Sequence, residues 1–205
     1  MLERFRQFWT RLLSPIANFL LRLGVSPDAV TLVGTIGVSA AALYFFPRGE
    51  LLVGVLVITA FVFSDLIDGY MARSAGTSSR WGAFLDSSLD RIADSAIFGG
   101  LVLYFAHDQD NMLMASVALY CLVMGSLTSY VRARAEGLGM QAKVGIAERA
   151  DRLVLVLVLA GFSEIFNKPV LLDIVLWVLA AASTVTVVQR MVVVRRQALA
   201  DDVPA

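Results

Sequence analysis

One cysteine and one histidine in 205 residues leave almost no room for disulfide, zinc or thiol chemistry. Cys121 stands inside an apolar run and reads as a small apolar side chain. His107 falls in the short connection "HDQDN", away from the other ligand-type residues. Charge is scarce as well: 17% of residues are charged, 58% are hydrophobic and the formal net charge is zero. A balance of this kind offers no basic excess for nucleic acid. Alternating apolar and polar residues are missing, which excludes a porin-type barrel. The N-terminal stretch lacks the continuous apolar core and cleavage site of a signal peptide. There is no internal repeat, low-complexity segment or long linker.

The chain is instead strongly apolar, with a mean hydropathy of +0.75. Six apolar segments stand out: Ala29 to Phe46, Leu51 to Ser64, Ile92 to Ala106, Met112 to Val131, Leu153 to Phe166 and Val170 to Val188. Only helices satisfy their own backbone in lipid once a barrel is excluded, so the expected fold is an all-α integral membrane protein with six transmembrane helices. Basic residues cluster before the first segment, around the second and fourth connections and after the last, leaving only Arg48 and Lys168 for the other side. The positive-inside rule then places both termini in the cytoplasm. Residues 1–23 carry apolar side chains at helical spacing opposite polar ones and read as an amphipathic interfacial helix. One domain over residues 1–205 is expected, with the six-helix bundle at about 28–196.

Five aspartates interrupt this apolar chain between Ser64 and Ser95. The second apolar run would give a helix of only about 21 Å against a hydrocarbon core of about 30 Å, so its helix must extend to Ala72 and carry Asp65 and Asp68 with it. The third run is equally short, and extension back to Gly82 brings in Asp86 and Asp90. Spacings of three and four put each pair on one helical face, and antiparallel packing turns the two faces toward each other. Four carboxylates at partial membrane depth require cations between them, and oxygen-only ligands select Mg²⁺, Mn²⁺ or Ca²⁺. A site with two cations is the expectation. Asp94 is off this pattern and is expected to pair with an arginine.

With its spacings the stretch reads Asp65, Asp68-Gly69, Ala72-Arg73, Gly82, Asp86, Asp90, and in this form it resembles the signature of the CDP-alcohol phosphotransferase family. The resemblance implies an enzyme of the cell membrane, with its active site facing the cytoplasm, that transfers a phosphatidyl group from CDP-diacylglycerol to an alcohol and releases CMP by a two-metal mechanism. It implies that Asp65, Asp68, Asp86 and Asp90 ligate two Mg²⁺ or Mn²⁺ ions, that Asp90 is the general base, and that the protein is a homodimer. It also places the CDP moiety near Gly69, Arg73 and Gly82, and near Asp28, Ala29, Val30 and Thr31, with Ser79 as a further contact. The competing reading of "SPDAVT" is a plain helix cap, with Ser26 or Asp28 as acceptor and Pro27 in the first turn.

The patterns "SYVRARAE" and "GIAERADRL" resemble the phosphatidylinositol phosphate synthases of actinobacteria, which implies inositol 1-phosphate as acceptor. Arg132 and Arg152, with Arg149, Arg190 and Arg195, are then the expected acceptor-phosphate ligands, since guanidinium forks match phosphate oxygens. Two alternatives stand beside this: glycerol 3-phosphate as acceptor, giving phosphatidylglycerol phosphate, and a divalent-cation transporter using the four carboxylates. The aspartate-bearing helices have no mid-membrane Pro/Gly interruption and no matching second half, which argues against a transporter.

Overall fold

The computed structural model describes residues 14–62, 64–74 and 79–201; the side chains of residues 64–66 and of residue 201 lie outside the description. Most of the expected interfacial helix, residues 1–13, is also outside it. Among the described residues all regular structure is helical. A first helix, α1, covers residues 14–22. It is followed by α2 (Pro27–Phe45), α3 (Leu51–Val62), α4 (Ser64–Ser74), α5 (Arg80–Leu103), α6 (Met112–Gly137), α7 (Arg149–Ile165) and α8 (Val170–Asp201).

The helix ends follow from local chemistry. Ser26 caps α2, its hydroxyl accepting from Ala29 N at 3.2 Å, with Pro27 in the first turn where its missing N–H costs nothing. Ser79 caps α5 by accepting from Gly82 N at 2.9 Å, and Asn111 caps α6 by accepting from Met114 N at 3.1 Å. α7 begins at Arg149, ahead of its short apolar run, where Glu148 and Asp151 form a capping box. At the far end of the molecule the carboxylate of Glu164 on α7 accepts from Leu52 N at 2.6 Å, supplying the N-terminus of α3 with an acceptor from another helix.

Both expected extensions are present. The second apolar run continues into a span of 24 residues, Leu51–Ser74, and α5 starts at Arg80 rather than at Ile92. Among the described residues four helical stretches are long and apolar enough to cross a membrane: Pro27–Arg48, Leu51–Ser74, Met112–Gly137 and Val170–Ala200. α5 carries too much charge to qualify by composition, and α7 has 17 residues.

α2 packs on α5, α3 and α4; α6 packs on α5 and α8; α7 packs on α8 and α3. The two backbones of α2 and α5 touch at Gly100, where a Cβ would stand 2.6 Å from the Ala42 carbonyl oxygen. One apolar cluster runs through the molecule, with Ala42, Ile58, Leu101, Ala118, Val156 and Leu176 at its centre. Outside it Val33, Ile36, Leu56, Val123, Val158 and Val178 are exposed, an apolar exterior suited to lipid. The N-terminal ends of α2, α5 and α7 gather with the C-terminal ends of α4, α6 and α8, and the polar chemistry lies at that end.

Candidate active site

A cavity of about 460 Å³ opens between α2, α4 and α5. Its wall includes Asp28 and Thr31 from α2, Asp68 and Gly69 from α4, and Ser79, Gly82 and Asp86 around the start of α5. Asp68 is 8% exposed, and its carboxylate accepts from the Thr31 hydroxyl at 2.6 Å. The same hydroxyl stands 3.1 Å from the Pro27 carbonyl, but it has one proton, and the shorter bond to the charged carboxylate takes it. Gly69 and Gly82 let other groups come close. A Cβ on Gly69 would stand 3.2 Å from Arg73 Nη1, so that guanidinium folds back over the glycine, while a Cβ on Gly82 would stand 3.4 Å from Ser79 Oγ and 3.7 Å from Asp28 Oδ1. Ala29 and Val30 lie in the first turn of α2 outside the cavity wall, Ala29 serving the Ser26 cap.

The aspartates divide. Asp68 and Asp86 share the cavity, and Asp65, one turn before Asp68, has its side chain outside the description. Asp90 is drawn toward α7, its Oδ1 2.9 Å from Arg149 Nη1. Among the described residues no three ligand-type side chains close around a single point, so the convergence expected for the full set is visible only as far as Asp68 and Asp86. Asp94 pairs with arginine as expected, at 3.2 Å from Arg91 and 3.0 Å from Arg149.

The five expected acceptor-side arginines also divide. Arg152 is 2% and Arg190 4% exposed. Arg152 Nη1 donates to the Ala147 carbonyl at 2.9 Å, with Nη2 3.5 Å from that of Gly125. Arg190 donates to the carbonyls of Val144 at 2.8 Å and Thr128 at 2.7 Å. These bonds fold the 138–148 loop over the site end of the bundle. Arg91, Arg149 and Arg190 are close enough for their charges to act on Arg152, as does that of Arg132 on Arg190. Arg132 is more exposed and pairs with Glu136 one turn on, at 3.0 Å. Arg149 is engaged by Asp90 and Asp94. Arg195 stands apart, lining a shallow cleft between α6 and α8 with Arg134 and Tyr130.

Sequence reasoning missed what holds the loop. Thr186 on α8 accepts from Ile146 N and Ala147 N, both at 3.2 Å, and Gly145 beside it has φ +143°, where a Cβ would meet Thr186 Cγ2 at 2.3 Å. Gln197 adds a two-way amide clasp on Gln141, at 2.9 and 2.6 Å. The available signal was the polar run Ser183, Thr184, Thr186 and Gln189 inside an apolar helix. Ser26, Pro27 and Ala83 were likewise missed as cavity wall.

Residues 24–188 match the family model of CDP-alcohol phosphatidyltransferase. The phosphatidylinositol phosphate synthase of Streptomyces avermitilis is 54% identical over 98% of this chain and 86% of its own length. That of Cutibacterium acnes is 51% identical over 96% of this chain and 98% of its own. The crystal structure of the Mycobacterium tuberculosis phosphatidylinositol phosphate synthase with CDP-DAG bound is 42% identical, with a TM-score of 0.86 over 90% of this chain and 94% of that one. The same enzyme in complex with manganese and citrate gives a TM-score of 0.83 over 89% and 88%. With a motif, a fold and relatives that agree along nearly its whole length, the chain belongs to the CDP-alcohol phosphatidyltransferase family.

Proposed function

We propose that this enzyme transfers the phosphatidyl group of CDP-diacylglycerol to inositol 1-phosphate, giving phosphatidylinositol phosphate and CMP. One observation carries the reading: a cavity bearing Asp68 and Asp86 lies beside a second pole, built by Arg152 and Arg190, at the same end of the bundle. The first suits a nucleoside diphosphate held through cations, the second a phosphate on the acceptor. The named activity of the Streptomyces and Cutibacterium relatives and the CDP-DAG in the mycobacterial structure support it.

The donor set fits divalent metal. It is all oxygen, it lies on two helices that line one cavity, with spacings of three and four, and manganese occurs in the mycobacterial structure. Asp65, Asp68, Asp86 and Asp90 would hold two Mg²⁺ or Mn²⁺ ions. Bound there, the ions supply charge neutralisation of the diphosphate and of the departing CMP oxygen. Thr31 holds the Asp68 carboxylate in one rotamer through its hydrogen bond. Gly69 and Gly82 admit the nucleotide, with Arg73, Asp28 and Ser79 at its edge.

Arg152, Arg190 and Arg132 bind the acceptor's phosphate and turn its hydroxyl toward Asp90. The Asp90 carboxylate takes the hydroxyl proton as the acceptor oxygen bonds to the phosphorus that carries the diacylglycerol. The bond from that phosphorus to CMP breaks, and CMP leaves with the electron pair. An aspartate beside cations is a weak base, so its contribution is placement more than basicity.

The same reading has six membrane crossings in one domain, with both termini and the site facing the cytoplasm. Four crossings are supported by length and apolarity, and α5 and α7 by their shares of the common apolar cluster. The arginines at the site end support the cytoplasmic side, and the exposed pair Trp81 and Phe84, with ring centroids 5.8 Å apart, suits the headgroup level there. Two copies would associate as a homodimer, supported by the family resemblance. The deciding assay supplies CDP-diacylglycerol with inositol 1-phosphate, inositol, glycerol 3-phosphate or serine in turn and measures CMP release. Preference for glycerol 3-phosphate would replace the proposed acceptor, and efficient use of plain inositol would remove the need for the arginine pole.

A further inference from the structure

α5 packs on α2 and α6, while α7 packs on α8 and α3. Among the described residues, the Arg149 guanidinium bridges α7 to α5 at the site end. Arg149 places Nη1 2.9 Å from Asp90 Oδ1 and Nε 3.0 Å from Asp94 Oδ1, gripping two carboxylates one helical turn apart. Asp94 is 8% exposed, and its other oxygen is 3.2 Å from Arg91 Nη2. Arg91 in turn donates to the Ser129 hydroxyl on α6. The run Asp90, Arg149, Asp94, Arg91, Ser129 therefore crosses three helices. A planar fork can serve two carboxylates in one plane, whereas an ammonium acts as a point charge.

The position of Arg149 in the chain matters equally. It is the first residue of α7, directly after the loop whose Val144 and Ala147 carbonyls are held by Arg190 and Arg152. Those are the arginines that the functional reading assigns to the acceptor's phosphate. A displacement of the loop thus carries Arg149 with it, and through Arg149 the Asp90 carboxylate.

We propose that Arg149 is a positioning residue: anchored on Asp94, it sets the direction of the Asp90 carboxylate and ties it to the acceptor-binding loop, and it does not itself bind the acceptor's phosphate. The inference rests on the role given to Asp90 above. Oδ1 of Asp90 is committed to Arg149, so the carboxylate is fixed in rotation relative to a substrate held from the α7 side. Asp94 acts through Arg149 and touches no substrate.

The test compares Arg149→Lys, Asp94→Asn, Asp94→Glu and the Arg149→Lys/Asp94→Asn double variant in CMP release, with each substrate varied, and in thermal unfolding of the substrate-free protein. Misplacement of a reacting group by about 1 Å costs up to about a hundredfold, so Arg149→Lys and Asp94→Asn should each lower kcat roughly 10- to 100-fold. The acceptor KM should stay within about twofold, the pattern for a group acting only in the transition state. The double variant should be no slower than the slower single one, and the losses in unfolding temperature should likewise fail to add. Asp94→Glu, which keeps the carboxylate, should recover most of kcat. A rise of about tenfold in acceptor KM with kcat intact in Arg149→Lys would make Arg149 a phosphate ligand and overturn the proposal, a change of about 1.4 kcal/mol in acceptor binding. Additive losses would overturn it too. If native protein releases no CMP with any alcohol phosphate, the functional reading falls and this inference with it; native turnover without the expected pattern sinks this inference alone.

Discussion

Replacing Arg132 with alanine separates acceptor binding from stability better than replacing its buried neighbours. Arg132 pairs with Glu136 at 3.0 Å across exposed helix surface, with side chains 43% and 47% accessible. A pair of that kind contributes about 0.3–0.5 kcal/mol, so Arg132→Ala should leave the unfolding midpoint nearly unchanged. A charge-assisted bond to phosphate contributes about 1.5–3 kcal/mol, and releasing Glu136 to make it offsets a few tenths. The acceptor KM should then rise about tenfold or more, while that for CDP-diacylglycerol hardly moves. Arg152→Ala is a different perturbation. Arg152 is 2% exposed and serves the Ala147 carbonyl at 2.9 Å, so its loss strands that buried acceptor and opens a hole, about 2–4 kcal/mol together. It should raise the acceptor KM and also lower the unfolding midpoint. The assay is initial-rate CMP release at saturating CDP-diacylglycerol, with inositol 1-phosphate titrated, beside a thermal melt in detergent. If Arg132→Ala weakened CDP-diacylglycerol binding and left the acceptor KM alone, the arginine pole would belong to the donor and the case for a phosphorylated acceptor would fail.

Asp68→Asn, Asp86→Asn and Asp90→Asn should each abolish transfer at saturating magnesium while the protein remains folded and membrane-inserted; near-normal turnover in any one removes that residue from the mechanism. Gly145→Ala should displace the 138–148 loop, because φ +143° and a Cβ at 2.3 Å from Thr186 Cγ2 are both incompatible with a side chain, so the acceptor KM should rise more than the donor KM; equal changes would show that the loop does not serve the acceptor. Glu164→Ala removes the acceptor at 2.6 Å from Leu52 N and should lower stability by about 1 kcal/mol with kinetics unchanged, read from melts and CMP release in parallel.

Much of the molecule was legible in the sequence because bilayer thickness and helical period are local constraints. They required the second and third apolar runs to extend into polar flanks, and the helices do end at Ser74 and begin at Arg80. The same period put Asp65 with Asp68 and Asp86 with Asp90 before any packing was known. Only the tertiary structure decided what the long cationic side chains meet. Arg132, Arg149, Arg152, Arg190 and Arg195 are chemically alike in sequence, yet one pairs with Glu136, one bridges Asp90 and Asp94, two hold backbone carbonyls and one lines a cleft beside Arg134. A guanidinium on a flexible stem reaches several partners; the Arg132–Glu136 pair is local to one helix, but the partners of Arg149 and Arg190 lie tens of residues away and only packing brings them together. The bond from Thr31 to Asp68, 37 residues on, belongs to the same class: each residue type was visible, but the 2.6 Å between them was a property of α2 lying on α4.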